Sequence, residues 1–316
     1  MVDLQTALVN LSNLGAYIAS FPQEQQAARF EYLGCESFSY MLKLPFYNGD
    51  NDDNSIKHRV LWRGSKAKWA NAPAGPDGVI FAYGFYVLLE ATLLTGRSQW
   101  SREFSPCVDH YEAFLKEVGL ERGDCYLGML LTEVNHHTYN SIKQKVIEKC
   151  RFVLLPVSIL IRILETYKLA FTATNSDLRL LLVDILDCCE RSTDLEDFLQ
   201  RTSDAVDLWR SVLLDRESRI FVGAKSYKAL YKLGGHGSVS EVFSDLYDDS
   251  VVTNYFIALG RKLTATEIEI SLEQERLAYR ASKVPGDILY VPIPFHDVKG
   301  RVKIIIKELE DVVTSQ

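Results

Sequence analysis

The chain has 316 residues, 47% hydrophobic and 24% charged, with a formal net charge of −7; this is the make-up of a soluble globular protein with one large or two ordinary cores. The negative balance does not mark a nucleic-acid binder, so a DNA enzyme on this chain needs its basic residues locally concentrated. The longest charge-free apolar stretch, Phe152 to Ile161, is broken by Pro156 and is far short of the roughly 20 residues of a membrane span.

No charged segment followed by an apolar one opens the chain, so no signal peptide is visible. The six cysteines, Cys35, Cys107, Cys125, Cys150, Cys188 and Cys189, show neither CxxC nor metal-type spacing with histidine; scattered among apolar residues, they suit a reducing cytoplasm.

Residues 1–20 carry Leu4, Ala7, Leu8, Leu11, Leu14 and Ile18 at the spacing of a short amphipathic helix. A second helix is expected from Pro22 to about Leu42, with Glu31 and Glu36 in FEYLGCESF. Residues 45–75 read as loop. FYNGDNDDN is acidic and turn-forming, and KHRVLWRGSKAKWANAPAG is the densest basic run, with Lys57, Arg59, Arg63, Lys66 and Lys68 interleaved with Trp62 and Trp69. Its position just before Asp77 makes Arg59, Arg63, Lys66 and Lys68 candidates to hold a phosphate backbone; the other reading is a solvated loop.

VIFAY and FYVLL are rich in β-branched and aromatic residues and meet at Tyr83-Gly84, as two strands joined by a tight turn do. Opposed residues then have numbers summing to 167, which sets Asp77 opposite Glu90 with Cβ atoms roughly 5 Å apart. Facing carboxylates repel, so the pair wants a hard cation with oxygen ligands, most naturally magnesium; the alternative is another register with both acids at solvated strand ends. Beyond the hairpin, Gln99, Glu103 and His110 stand four and seven residues apart, a spacing that returns to one helix face. Pro106 either kinks this helix or opens a second one after Ser105. The bland reading of the three is a solvated face.

Taken together, Pro76-Asp77, Glu90-Ala91-Thr92, the LLTGRSQW run, Gln99, Glu103 and His110 resemble the AlwI-type restriction endonucleases. These are type IIS enzymes and strand-nicking relatives within the PD-(D/E)XK nuclease superfamily, and the likeness covers about residues 22–170.

The resemblance implies an α/β nuclease domain, a mixed sheet flanked by helices, that hydrolyses DNA phosphodiester bonds with one or two magnesium ions. It implies that Asp77, Glu90, the carbonyl of Ala91 and Glu103 hold metal. It assigns Gln99 to orienting water or phosphate and His110 to carrying a proton or touching phosphate, and it implies an acid from the preceding helix, Glu31 with Glu36 as fallback. The superfamily's usual lysine two residues after the second acid is Thr92 here, which cannot act as a base. Double-stranded DNA and a dimer mate or second catalytic or recognition subunit are the implied partners.

After a helix ending near Gly119, YLGMLLT (126–132) and RFVLLPVS (151–158) read as third and fourth strands, each followed by a helix. His136-His137, between them, read as loop or cap. The nuclease domain is expected to span 1–172 and a C-terminal domain 173–316. The latter opens with two or three acidic amphipathic helices, then helical KSYKALYKLGG, SVSEVFSDLYDD and SVVTNYFIALG. Strand-like TEIEISLEQERLAYR and DILYVPIPF follow, and KGRVKIIIKELEDVV reads as a closing strand and short helix.

Helices followed by a β-ribbon are the winged-helix order, with SVVTNYFIALGRK as recognition helix and Thr253, Asn254, Arg261 and Lys262 as candidate DNA contacts. The acidic SDLYDDS before it is a poor neighbour for phosphate, and protein interaction or dimerisation is the other role for this domain. Two functional alternatives stand beside restriction: a transposon-end or repair nuclease of the same superfamily, and a catalytically silent DNA- or protein-interaction subunit.

Overall fold

The computed structural model describes residues 4–44, 46–48, 66–69, 76–82, 84–119, 125–170 and 172–302. Helices α1 (Leu4–Ser12) and α2 (Leu14–Ala19), a 3-10 turn (Gln23–Gln25) and helix α3 (Gln26–Met41) precede strands β1 (Phe46–Asn48), β2 (Lys66–Trp69), β3 (Gly78–Ala82) and β4 (Phe85–Thr92). Helix α4 (Gly96–Val118), β5 (Cys125–Leu131), α5 (His136–Ile147), β6 (Phe152–Pro156), α6 (Val157–Leu169) and α7 (Asn175–Arg191) follow, and then the long helix α8 (Leu195–Lys232).

One six-stranded mixed sheet runs in the order β1-β2-β3-β4-β5-β6. β3 is antiparallel to β2 and β4, whereas β4, β5 and β6 run parallel. β5 and β6 are buried at every position, as parallel strands covered on both faces are, which explains their unbroken apolar sequences. The expected four strands are present. Part of the segment expected to be loop is strand instead, at Phe46–Asn48 and Lys66–Trp69, where Ala67 pairs with both Phe46 and Ile80. Helix α3 lies close on this sheet: a Cβ on Gly34 would stand 2.9 Å from side-chain atoms of both Leu89 and Leu130.

The chain divides into two compact units, Met1–Lys168 with Ala173–Arg210, and Leu169–Thr172 with Ser211–Gln316. The division thus falls inside α8 rather than at residue 172. Leu178, Leu181, Leu182 and Ile185 bury one face of α7, and Trp209 Nε1 donates to the Asp177 carbonyl at 3.0 Å, so the first half of α8 stays with the first unit.

In the second unit, the end of α8 is followed by β7 (Gly237–Ser238), α9 (Val239–Tyr247), α10 (Ser250–Ala258), α11 (Ala265–Gln274), β8 (Ala278–Val284) and β9 (Asp287–Pro292). The three strands form a sheet ordered β7-β9-β8, packed through Ile288 and Tyr290 into a core with Phe221, Val242, Tyr255, Ile268 and Leu272.

Three expectations are corrected here. KSYKALYKLGG is not a separate helix, since 225–232 are the last turns of α8. TEIEIS is helix, not strand. Its charged and apolar residues alternate, but Thr264 and Glu267 form a reciprocal capping box and Ile268 and Leu272 are buried four residues apart, so helical period and cap prevail. Residues 300–302 are helical rather than strand; the remainder of that segment lies outside the described residues.

Candidate active site

The hairpin has the expected register. Gly78 pairs with Leu89 and Ala82 with Phe85, and Gly84 takes the left-handed conformation, φ 87°, that a two-residue connection demands and glycine adopts without steric cost. Asp77 lies one step beyond the end of this ladder, level with Glu90. Its Oδ2 accepts a hydrogen bond from the Ala91 N–H at 2.8 Å, so a side chain continues the pairing where the backbone ladder stops. What the structure fixes at Ala91 is this N–H.

Glu90 is buried, 7% exposed, and its Oε1 lies 2.8 Å from His110 Nδ1. That bond to Glu90 raises the His110 pKa, against the opposing effect of burial. Helix α4 runs through Pro106 from Gly96 to Val118 as one helix, so neither a break nor a second start at Ser105 occurs. Glu103 sits on α4 between Gln99 and His110; its side chain lies outside the described residues.

On the other side, Cys35 of α3 is fully buried, with its Sγ 3.9 Å from the Asp77 carbonyl oxygen. Burial pushes its thiol pKa well up, and the charges of Asp77, Glu31 and Glu90 push it further. Glu31, Asp77 and Glu90 are thus each near enough for their charge to be felt at Cys35. Glu36 does not join them: its carboxylate accepts from Tyr40 Oη at 2.9 Å, and its charge is felt at Tyr17. Sequence reasoning missed Cys35, although its position four residues after Glu31 placed both on one helical face.

Gln99 is not disposed as the resemblance implied. It is 0% exposed, its Nε2 donates to the Leu94 and Glu133 carbonyls at 3.0 and 2.8 Å, and its Oε1 accepts from Asn135 N–H at 3.1 Å. With the amide committed to backbone, it has no group for water or phosphate. The spacing argument found the right face of the helix but could not tell which of its positions is buried. His136 and His137 begin α5, where the Asn135 side chain accepts from His137 N–H at 2.9 Å, a capping arrangement.

The carboxylates of Asp77 and Glu90 are hard oxygen donors. Among the described residues, no three His, Cys, Asp or Glu side chains are already gathered as a metal-binding group.

Of the candidate DNA contacts, Arg59 and Arg63 lie outside the described residues, and Lys66 and Lys68 are on β2, paired with Phe81 and Val79. In the second unit, Thr253 Oγ1 donates to the Tyr247 carbonyl at 3.2 Å. Asn254 and Lys262 are exposed, and Arg261 pairs with Glu267 and lies 5.2 Å over the Phe256 ring. The helix directly before the β8–β9 hairpin is α11, not the α10 segment expected to read DNA, and α11 carries Glu267, Glu269 and Glu273 with no basic residue. Among the described residues, no helix is long and apolar enough to cross a membrane.

No protein-family model matches the chain, and no curated protein matches it. Among solved structures it is similar to the small subunit (R.BspD6I2) of the heterodimeric restriction endonuclease R.BspD6I, at 15% identity and a TM-score of 0.40, covering 66% of this chain and 97% of that one.

Proposed function

We propose that the first unit is a magnesium-dependent DNA endonuclease of the PD-(D/E)XK, restriction type. The observation that carries this reading is the register of the hairpin, which brings Asp77 level with Glu90. Magnesium held by Asp77 and Glu90, with the Ala91 carbonyl and Glu103 as further ligands, would polarise the scissile phosphate and lower the pKa of the attacking water. The chain's own residues keep Asp77 fixed on the Ala91 N–H and Glu90 oriented by His110. With Thr92 at the usual lysine position, turned to accept from Leu94 N–H at 3.0 Å, His110 on Glu90 is a group able to move a proton.

The second unit has the element and strand order of a winged helix, but the acidic α11 favours protein contact over DNA reading there. A partner subunit then supplies target reading. R.BspD6I2 is itself one subunit of a heterodimeric restriction endonuclease; for this chain, the second subunit is inferred from the acidity of α11 and not from that likeness.

Cleavage of mixed plasmid DNA with magnesium, with mapping of the ends, tests the reading. Asp77→Ala and Glu90→Ala are each expected to lower the rate by about 10²–10³-fold or more while DNA binding survives; undiminished magnesium-dependent cutting by both variants would overturn it. A catalytically silent subunit is the second reading, favoured by Thr92 standing where the superfamily's lysine would be. A calorimetric magnesium titration with no heat of binding would select it.

A further inference from the structure

Gln99 is a neutral, fully buried side chain whose hydrogen bonds all go to backbone, and those backbone groups belong to three different places. Leu94 lies just beyond the end of β4, Glu133 just beyond the end of β5, and Asn135 is the cap residue of α5. β4 and β5 are parallel neighbours, with Thr92 opposite Leu131, so a single carboxamide ties both strand exits to the first turn of α4. Leu94 is held from both sides: its N–H donates to Thr92 Oγ1 and its carbonyl accepts from Gln99. Three residues upstream is Ala91, whose N–H fixes Asp77. Eleven residues further along α4, about 16 Å by helical rise, His110 fixes Glu90.

We propose that Gln99 is the positioning residue of the acidic centre. Through Leu94 it clamps the end of β4 that presents Glu90 and Ala91, and it attaches the first turn of α4, which is held further along by His110–Glu90 and by Tyr111 Oη donating to the Cys125 carbonyl at 3.2 Å. Leaving buried carbonyl and amide groups without partners is costly, so loss of the amide frees the strand exits to move. The Asp77–Ala91 bond and the Glu90–His110 bond then loosen together. The consequence for metal rests on the nuclease reading; the consequence for the Ala91 amide does not.

The test uses the full chain with Gln99→Leu and the gentler Gln99→Asn, one methylene too short to span both exits. Leu181→Ala, a buried position on α7, serves as a control of comparable destabilisation. Amide hydrogen exchange at Ala91 is expected to quicken at least about tenfold in the Gln99 variants relative to the control, as lost hydrogen bonds convert to rate. The magnesium midpoint for cleavage is expected to rise by a similar factor, with the dissociation constant for DNA unchanged. Exchange at Ala91 no faster than in Leu181→Ala overturns the proposal, as does an unmoved magnesium midpoint in an active enzyme. Wild-type protein that neither binds magnesium nor cuts DNA defeats the nuclease reading instead, and the exchange measurement then decides the role of Gln99 alone.

Discussion

Two charged contacts, one in each unit, look alike in distance and differ in purpose. His110–Glu90 in the first unit and Lys225–Asp249 in the second join at 2.8 and 3.1 Å, with Glu90 and Lys225 both buried. Lys225–Asp249 closes on itself. One Asp249 oxygen takes the Lys225 ammonium and the other caps α10 by accepting from Val251 and Val252 N–H at 2.9 and 3.4 Å. Charge is balanced and every bond serves the fold. In the first unit Asp77 is level with Glu90 across the hairpin, so two carboxylates face each other, with His110 on one of them. Facing like charges cost stability, whereas the Lys225–Asp249 pair contributes to it.

Removing an acid should therefore have opposite effects in the two places. The largest effect is expected for Asp249→Ala, which leaves a buried lysine uncompensated and deletes a helix cap. Breaking such a pair costs about 3–5 kcal/mol, read as a lowered midpoint in chemical denaturation. Asp77→Asn keeps an acceptor for Ala91 N–H and removes one of two facing charges, so it is expected to stabilise by up to about 1 kcal/mol in the same assay. Destabilisation by Asp77→Asn as large as that by Asp249→Ala would erase the contrast.

Acidity separates the pairs with a smaller but signed effect. The raised His110 pKa contributes stability that is fully present below the unfolded histidine value of about 6.5 and is lost as pH rises through the folded value. Burial alone would raise the Asp249 pKa, yet the bonds from Lys225, Val251 and Val252 lower it. Its contribution is present above the unfolded aspartate value of about 3.9 and is lost as pH falls through the folded value. Denaturation of wild type against Glu90→Gln and Lys225→Met across pH should show deficits that fade toward alkaline pH for the first variant and toward acid for the second. Both fading in the same direction would break the comparison.

The hairpin was legible because a two-residue turn with glycine fixes every later pairing, and the parallel strands because both their faces are apolar. What escaped was set by context. KAKW gives no run long enough to declare a strand, and it becomes one only by pairing with β1 and β3. TEIEIS alternates as a strand does, and its capping box outweighed the alternation. At the site, Asp77 is level with Glu90 and His110 meets Glu90, because register and helical period determine these three. Gln99 was misjudged because a helical face says nothing of depth: one amide on it is walled in by two loops that sequence periodicity cannot locate.

Gly34 acts as a gauge block between α3 and the sheet. A would-be Cβ there stands 2.9 Å from side-chain atoms of Leu89 and Leu130, so the hydrogen at position 34 lets the helix lie as close to the strands as it does. The fully buried Cys35 is its neighbour in the chain, and the depth of that thiol is set by the same spacing.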